Sequence, residues 1–155
     1  MITFEDFHVG VTDTFGDYLV TEREIIEFAE KYDPQPFHTD PEFAAKSYYG
    51  KLIASGWMTG AITMRLLCDQ ILTDSSSMGS PGIDKLRWHR PVFAGDRLKA
   101  TVIVLEARES KSKPGIGIVT YDVQTLNQND EIVMSINTTG MFLTRAALKK
   151  QQAAS

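Results

Sequence analysis

Two hydrophobic periods divide this chain. In "RLKATVIVLEA", from Arg97 to Ala107, Leu98, Ala100, Val102 and Val104 alternate with Lys99 and Thr101. That is the two-residue period of a half-buried strand. "GIDKLRWHRPV", "GIGIVTYDVQTLNQ" and "EIVMSINTTGMFLT" are similar runs rich in β-branched residues, so the second half predicts about four long strands. "FAGD" supplies a turn before the second of them and "NQND" a hairpin turn between the last two. Strands joined by short turns should be antiparallel.

The first half has a helical period. "TDTFGDYLV" reads as one short strand, and "TEREIIEFAEKY" follows with Ile25, Phe28 and Ala29 on one face. Thr21 and Glu24 predict a capping box, each side chain bonding the other residue's backbone N–H. Pro34 ends this helix, because the residue before a proline avoids the α region. Asp40 and Pro41 start a short helix over "DPEFAAKSY" as N-cap and first helical residue. "SGWMTGAITMRLLCDQIL", roughly Ser55 to Leu72, is apolar nearly all round until Arg65 and predicts a buried helix. Gly56 and Gly60 weaken it unless something packs closely against its first turns. The expected fold is α+β, a curved antiparallel sheet around one long helix. The expected organisation is a single domain over residues 1–148, with 149–155 a frayed tail.

Composition narrows the function. The chain has 155 residues, enough for one domain with a real core. A net charge of -4 gives no general attraction for nucleic acid or an anionic membrane. The basic stretch "DKLRWHR" could still meet an anionic small molecule. No run reaches the ~18–20 apolar residues of a membrane span. Cys68 is the only cysteine, and "MITFEDFHVG" does not read as a signal peptide. A cytoplasmic, unprocessed protein is expected. Cys68 reads as an inert core thiol, and His8 and His89 as structural or exposed residues. No serine-hydrolase or phosphate-loop motif occurs.

The chemistry concentrates in "YDPQPFHTD", Tyr32 to Asp40, which is too polar for a core strand and too broken for a helix. By themselves Asp33 and His38 read as a turn residue and a surface histidine. Five extended residues between them could span roughly 16 Å. Pro34 and Pro36 stiffen the segment. The spacing of Asp33, His38 and Asp40 matches no recognised metal-ligand pattern, so no metal is expected.

Asp33-Pro34-Gln35-Pro36-Phe37-His38-Thr39-Asp40 resembles the signature of the MaoC-like dehydratase family, which includes the R-specific enoyl-CoA hydratases. That signature is Asp, any residue, Asn-Pro, an aliphatic residue and His, then Asp two residues on. "PEFAAKSYYGKLIASG" matches the short helix that follows, Gly56 the start of the buried helix, and "GIDKLRWHRPVFAGDRL" the strand and turn after it. Three positions depart: Gln35 replaces Asn, Phe37 a smaller aliphatic residue, and Ser55 the His before the glycine.

The resemblance implies the hot-dog fold and hydration of a 2-enoyl-CoA to a 3-hydroxyacyl-CoA, or the reverse. Asp33 and His38 would hold and activate the water, and the Gly56 amide would polarise the thioester. Gln35 would orient the loop or the water, Ser55 would cap the helix or line the pocket, and Trp57 and Met58 would line the acyl site. No cofactor is expected beyond the CoA of the substrate, and hot-dog domains usually pair as homodimers. Two rival readings are a thioesterase on the same fold and a non-catalytic acyl-CoA-binding or assembly module.

Overall fold

In the computed structural model, which describes residues 1–154, the β-branched runs of the second half join the early strand in one antiparallel sheet. The strands are β1 (Thr12–Leu19), β2 (Gly82–Trp88), β3 (Arg97–Glu109), β4 (Ile116–Leu126) and β5 (Ile132–Leu143), in the order β1-β3-β4-β5-β2. Consecutive β3, β4 and β5 pair as neighbours, as their short turns require. In the "FAGD" turn the Asp96 N–H donates to the Phe93 carbonyl at 3.1 Å. In "NQND" the Asn127 N–H donates to the Glu131 carbonyl at 3.0 Å. The β2 strand lies instead at the far edge, against β5.

Among the described residues, five α-helices accompany the sheet: α1 (Glu22–Tyr32), α2 (Pro36–Thr39), α3 (Pro41–Lys46), α4 (Gly56–Leu67) and α5 (Arg145–Ala153). A π turn, Cys68–Leu72, extends α4. Met58 and Ile62 of α4 pack with Val20, Leu98, Val133 and Met134. Leu66 and Leu67 pack with Val102, Val119, Val123 and Phe142. One helix therefore packs against one face of the sheet, and the α+β arrangement expected from the sequence is observed.

The expectations about single elements fare less evenly. The α4 helix is not buried all round: Trp57, Met64 and Arg65 face outward, because the sheet covers one side only. Cys68 is half-buried where the π turn begins. Half of the α1 capping box forms. The Glu24 N–H donates to the Thr21 hydroxyl at 3.3 Å, but the Glu24 carboxylate accepts from the Tyr18 and Thr21 hydroxyls rather than from the Thr21 N–H. The tail expected to fray from 149 is helical through Ala153; Ser155 lies outside the described residues. Thr144 caps this last helix, and the Arg145 N–H donates to the Glu5 carboxylate at 2.9 Å. Among the described residues, no helix is long and apolar enough to cross a membrane.

Candidate active site

The segment between α1 and α3 is short, stiff and folded back on itself. After Pro34, Gln35 stays extended and Pro36 opens α2, where its missing N–H costs nothing. The string that reads as too broken for a helix thus contains one helical turn. That turn brings Asp33 and His38 to the same place. The Ile53 N–H donates to the Phe37 carbonyl at 3.2 Å, and the Ala54 N–H donates to the Val92 carbonyl at 2.8 Å. The loop is thereby tied through residues 52–54 to the stretch that leads into β3.

His38 is buried, only 5% exposed. Its Nδ1 lies 2.7 Å from the Ile53 carbonyl oxygen. A carbonyl can only accept, so Nδ1 carries the proton and Nε2 is left free for a second proton. Nε2 lies 3.3 Å from Asp33 Oδ2.

Asp33 accepts two further hydrogen bonds. Gln35 Nε2 donates to Oδ1 and the Ser55 hydroxyl to Oδ2, each at 2.7 Å. The Gln35 bond and then the Ser55 bond hold the Asp33 carboxyl below its ordinary pKa; burial opposes them and His38 adds a smaller attraction. Ser55 is fully buried and is the N-cap of α4, accepting from the Trp57 N–H at 3.3 Å. One hydroxyl thus couples the acidic loop to the start of the central helix. Asp40 caps α3, its carboxylate accepting from the Glu42 and Phe43 N–H groups.

Gly56 begins α4, where the first N–H groups have no intrahelical partner and sit at the positive end of the helix dipole. A Cβ at Gly56 would come within 2.5 Å of the Trp88 indole. The indole in turn donates to the Gly56 carbonyl at 2.9 Å. The absent side chain is therefore needed for Trp88, a partner not anticipated from the sequence. A Cβ at Gly60 would meet nothing within 4 Å, so of these two glycines only Gly56 shows the close packing.

Asp33, Gln35, His38, Gly56, Trp57 and Thr59 line one cleft of about 510 Å³. Trp57 stands at its rim, edge-on to Trp88 with ring centres 5.2 Å apart. Met58 is not in this cleft. It is 4% exposed, packs into the core and lines a second hollow with Tyr18, Phe28 and Ile62. The helical turn rotates Met58 away from its neighbours Trp57 and Thr59.

Sequence reasoning missed three contributors: Thr59, Trp88 and the Ile53 carbonyl. Thr59 was detectable in principle, three residues after Gly56 on the same helical face. The Ile53 carbonyl was not, since backbone acceptors leave no mark on residue type. His89 and Arg90 of the basic stretch also line the cleft, and His89 is exposed as expected, with Nε2 2.7 Å from the Ser135 hydroxyl. His8 is exposed far along the chain in the N-terminal segment.

The fold has counterparts among known proteins. A family model described as "MaoC like domain" matches residues 9–127. The crystal structure of the MaoC-like dehydratase from Rhodospirillum rubrum is 39% identical, with a TM-score of 0.86, over 94% of this chain and 99% of that one. The R-hydratase PhaJ1 from Pseudomonas aeruginosa is 26% identical, with a TM-score of 0.77, over 93% of this chain and 87% of that one. The 3-hydroxyacyl-thioester dehydratase Z of Mycobacterium tuberculosis is 36% identical over 84 residues, 53% of this chain and 56% of that protein.

Proposed function

Because the chain belongs to the MaoC-like domain family, with the hot-dog fold of its structural neighbours, we propose that it interconverts a 2-enoyl-CoA and a 3-hydroxyacyl-CoA. The observation that carries this reading is the Asp33–His38 pair, Oδ2 and Nε2 3.3 Å apart at the wall of a cleft that also contains Gly56.

With Nδ1 committed to Ile53, Nε2 and the Asp33 carboxylate are two acceptors facing one place. A water there donates one hydrogen to each and turns a lone pair toward Cβ of the enoyl group. As the oxygen adds to Cβ, the water gives up a proton to the pair. The electron pair of the double bond moves through Cα onto the thioester oxygen. The Gly56 N–H stabilises that oxygen, a contribution of ~3 kcal/mol for donors of this kind. The pair then returns a proton to Cα, so that H and OH are added across the double bond. Dehydration is the reverse. This proton chemistry needs no metal or redox cofactor; CoA arrives with the substrate.

Gln35 and Ser55, which depart from the family signature, both donate to Asp33. They support a carboxylate kept ionised for the reaction rather than a lost site. Similarity to a 3-hydroxyacyl-thioester dehydratase and an R-hydratase supports the substrate class. We further expect a homodimer, and the lone cysteine fits a cytoplasmic setting.

The test is loss or gain of enoyl-thioester absorbance with crotonyl-CoA and longer enoyl-CoAs. Asp33→Asn and His38→Ala are each expected to lower kcat by ~10²–10⁴-fold. Wild-type protein that hydrates no enoyl thioester would sink the proposal. Release of free thiol from a saturated acyl-CoA would point instead to a thioesterase.

A further inference from the structure

Two threonines on α4 lie one turn apart on the same face, and only one hydroxyl is in use. Thr63 donates to the Thr59 carbonyl at 2.8 Å and shares a hydrogen bond with the Thr125 hydroxyl at 2.6 Å. Thr59 is also buried, 2% exposed. Yet among the described residues no group hydrogen-bonds to its side chain. Its oxygen is not sealed in protein either, since among the described residues no buried side-chain oxygen lacks a partner. Thr59 lines the cleft that contains Asp33, His38 and Gly56. A buried hydroxyl without a protein partner costs stability unless something else satisfies it.

Helix geometry says where that hydroxyl can reach. Side chains tilt toward the helix N-terminus and cover the preceding turn. Residues three apart lie on one face with ~5–6 Å between side-chain roots. An acceptor hydrogen-bonded to the Gly56 N–H, at ~2.9 Å, is then close enough for a second bond from the residue-59 hydroxyl. A thioester oxygen that gains charge has more than one lone pair and is poorly served by a single donor.

We propose that Thr59 is a catalytic residue, its hydroxyl giving the thioester oxygen a second hydrogen bond beside the Gly56 amide. The inference rests on the acyl-thioester reading of the site. It makes the oxyanion donor set one backbone N–H and one side-chain O–H, both from the first two turns of α4.

The test uses the whole protein as Thr59→Val, which keeps the shape and removes the hydroxyl, and as Thr59→Ser, which keeps the hydroxyl. Difference infrared spectra of bound butyryl-CoA, with ¹³C in the thioester carbonyl, read its hydrogen bonding without turnover. The carbonyl band is expected at higher wavenumber in Thr59→Val than in wild type, and near the wild-type position in Thr59→Ser. With an enoyl-CoA, Thr59→Val should lower kcat by ~10–100-fold with KM within about threefold, and Thr59→Ser should restore most of the rate. The same band position in wild type and Thr59→Val overturns the inference. So does a change confined to KM, or a lowered melting temperature with the band unmoved. Absence of hydration by wild type overturns the hydratase reading alone, because the infrared measurement still judges Thr59.

Discussion

Asp33 can take a proton from water only while it is ionised, and two neighbouring donors favour that form. Gln35 and Ser55 lower its pKa, Gln35 more strongly. A lowered carboxylate contributes stability that is present above its unfolded pKa and lost as pH falls through its folded one. The Asp33 contribution is therefore intact at neutral pH and disappears only below the ordinary carboxylate range. Gln35→Leu should raise the Asp33 titration midpoint, read by carboxyl ¹³C NMR, and lower stability at neutral pH, so that less of it is left to lose in acid. Ser55→Ala should raise the midpoint less and also remove the α4 N-cap, at about 1 kcal/mol in denaturant unfolding. The sequence marked all these side chains as one group. It could not mark their convergence, because Asp33 and His38 meet through a helical turn whose residues, Pro36 to Thr39, look like a broken loop.

At the scale of elements, the start of α4 is held between a cap and an indole. Ser55 satisfies the Trp57 N–H while Trp88, from the end of β2, lies over Gly56. Gly56→Ala would push Cβ into that ring and should cost ~1–3 kcal/mol as overpacking. Equilibrium unfolding measures this, and Trp fluorescence should report the displaced indole. The strand and helix periods were readable because packing against a common core imposes them on every residue. The exposed half of α4 was not. Trp57 and Met64 are apolar, and hydrophobicity alone does not say which side the sheet covers. The π turn at Cys68 and the rotation that takes Met58 out of the cleft are set by helix phase, which an almost wholly apolar stretch leaves unspecified.

In the molecule as a whole, the sheet has two edge strands, β1 and β2. β2 reaches its edge by crossing from α4 to the far side of the sheet, and its strand partner is β5 alone. Ile83 on β2 and Trp57 and Met64 on α4 are exposed apolar residues. An open edge of unpaired backbone groups beside apolar side chains favours pairing with another chain. Light scattering should therefore give twice the chain mass, and Ile83→Asp should shift it toward the monomer with the circular dichroism unchanged. Strand order is the part of the architecture least visible in the chain. Local alternation is the same for an edge strand whichever neighbour it finds, and the β2–β5 pairing joins residues about 50 positions apart.

The fixed imidazole tautomer has a stereochemical consequence. With Nδ1 tied to Ile53, Nε2 is the one imidazole nitrogen that can exchange a proton with the substrate, and it shares one wall of the cleft with Asp33. Under the proposed reaction, hydroxyl and hydrogen then reach the double bond from the same face. Hydration in D₂O should give one enantiomer of the 3-hydroxyacyl product, with deuterium at Cα syn to the new hydroxyl. The vicinal proton coupling in its NMR spectrum would report this. A mixture of diastereomers would mean that the protons come from two sides.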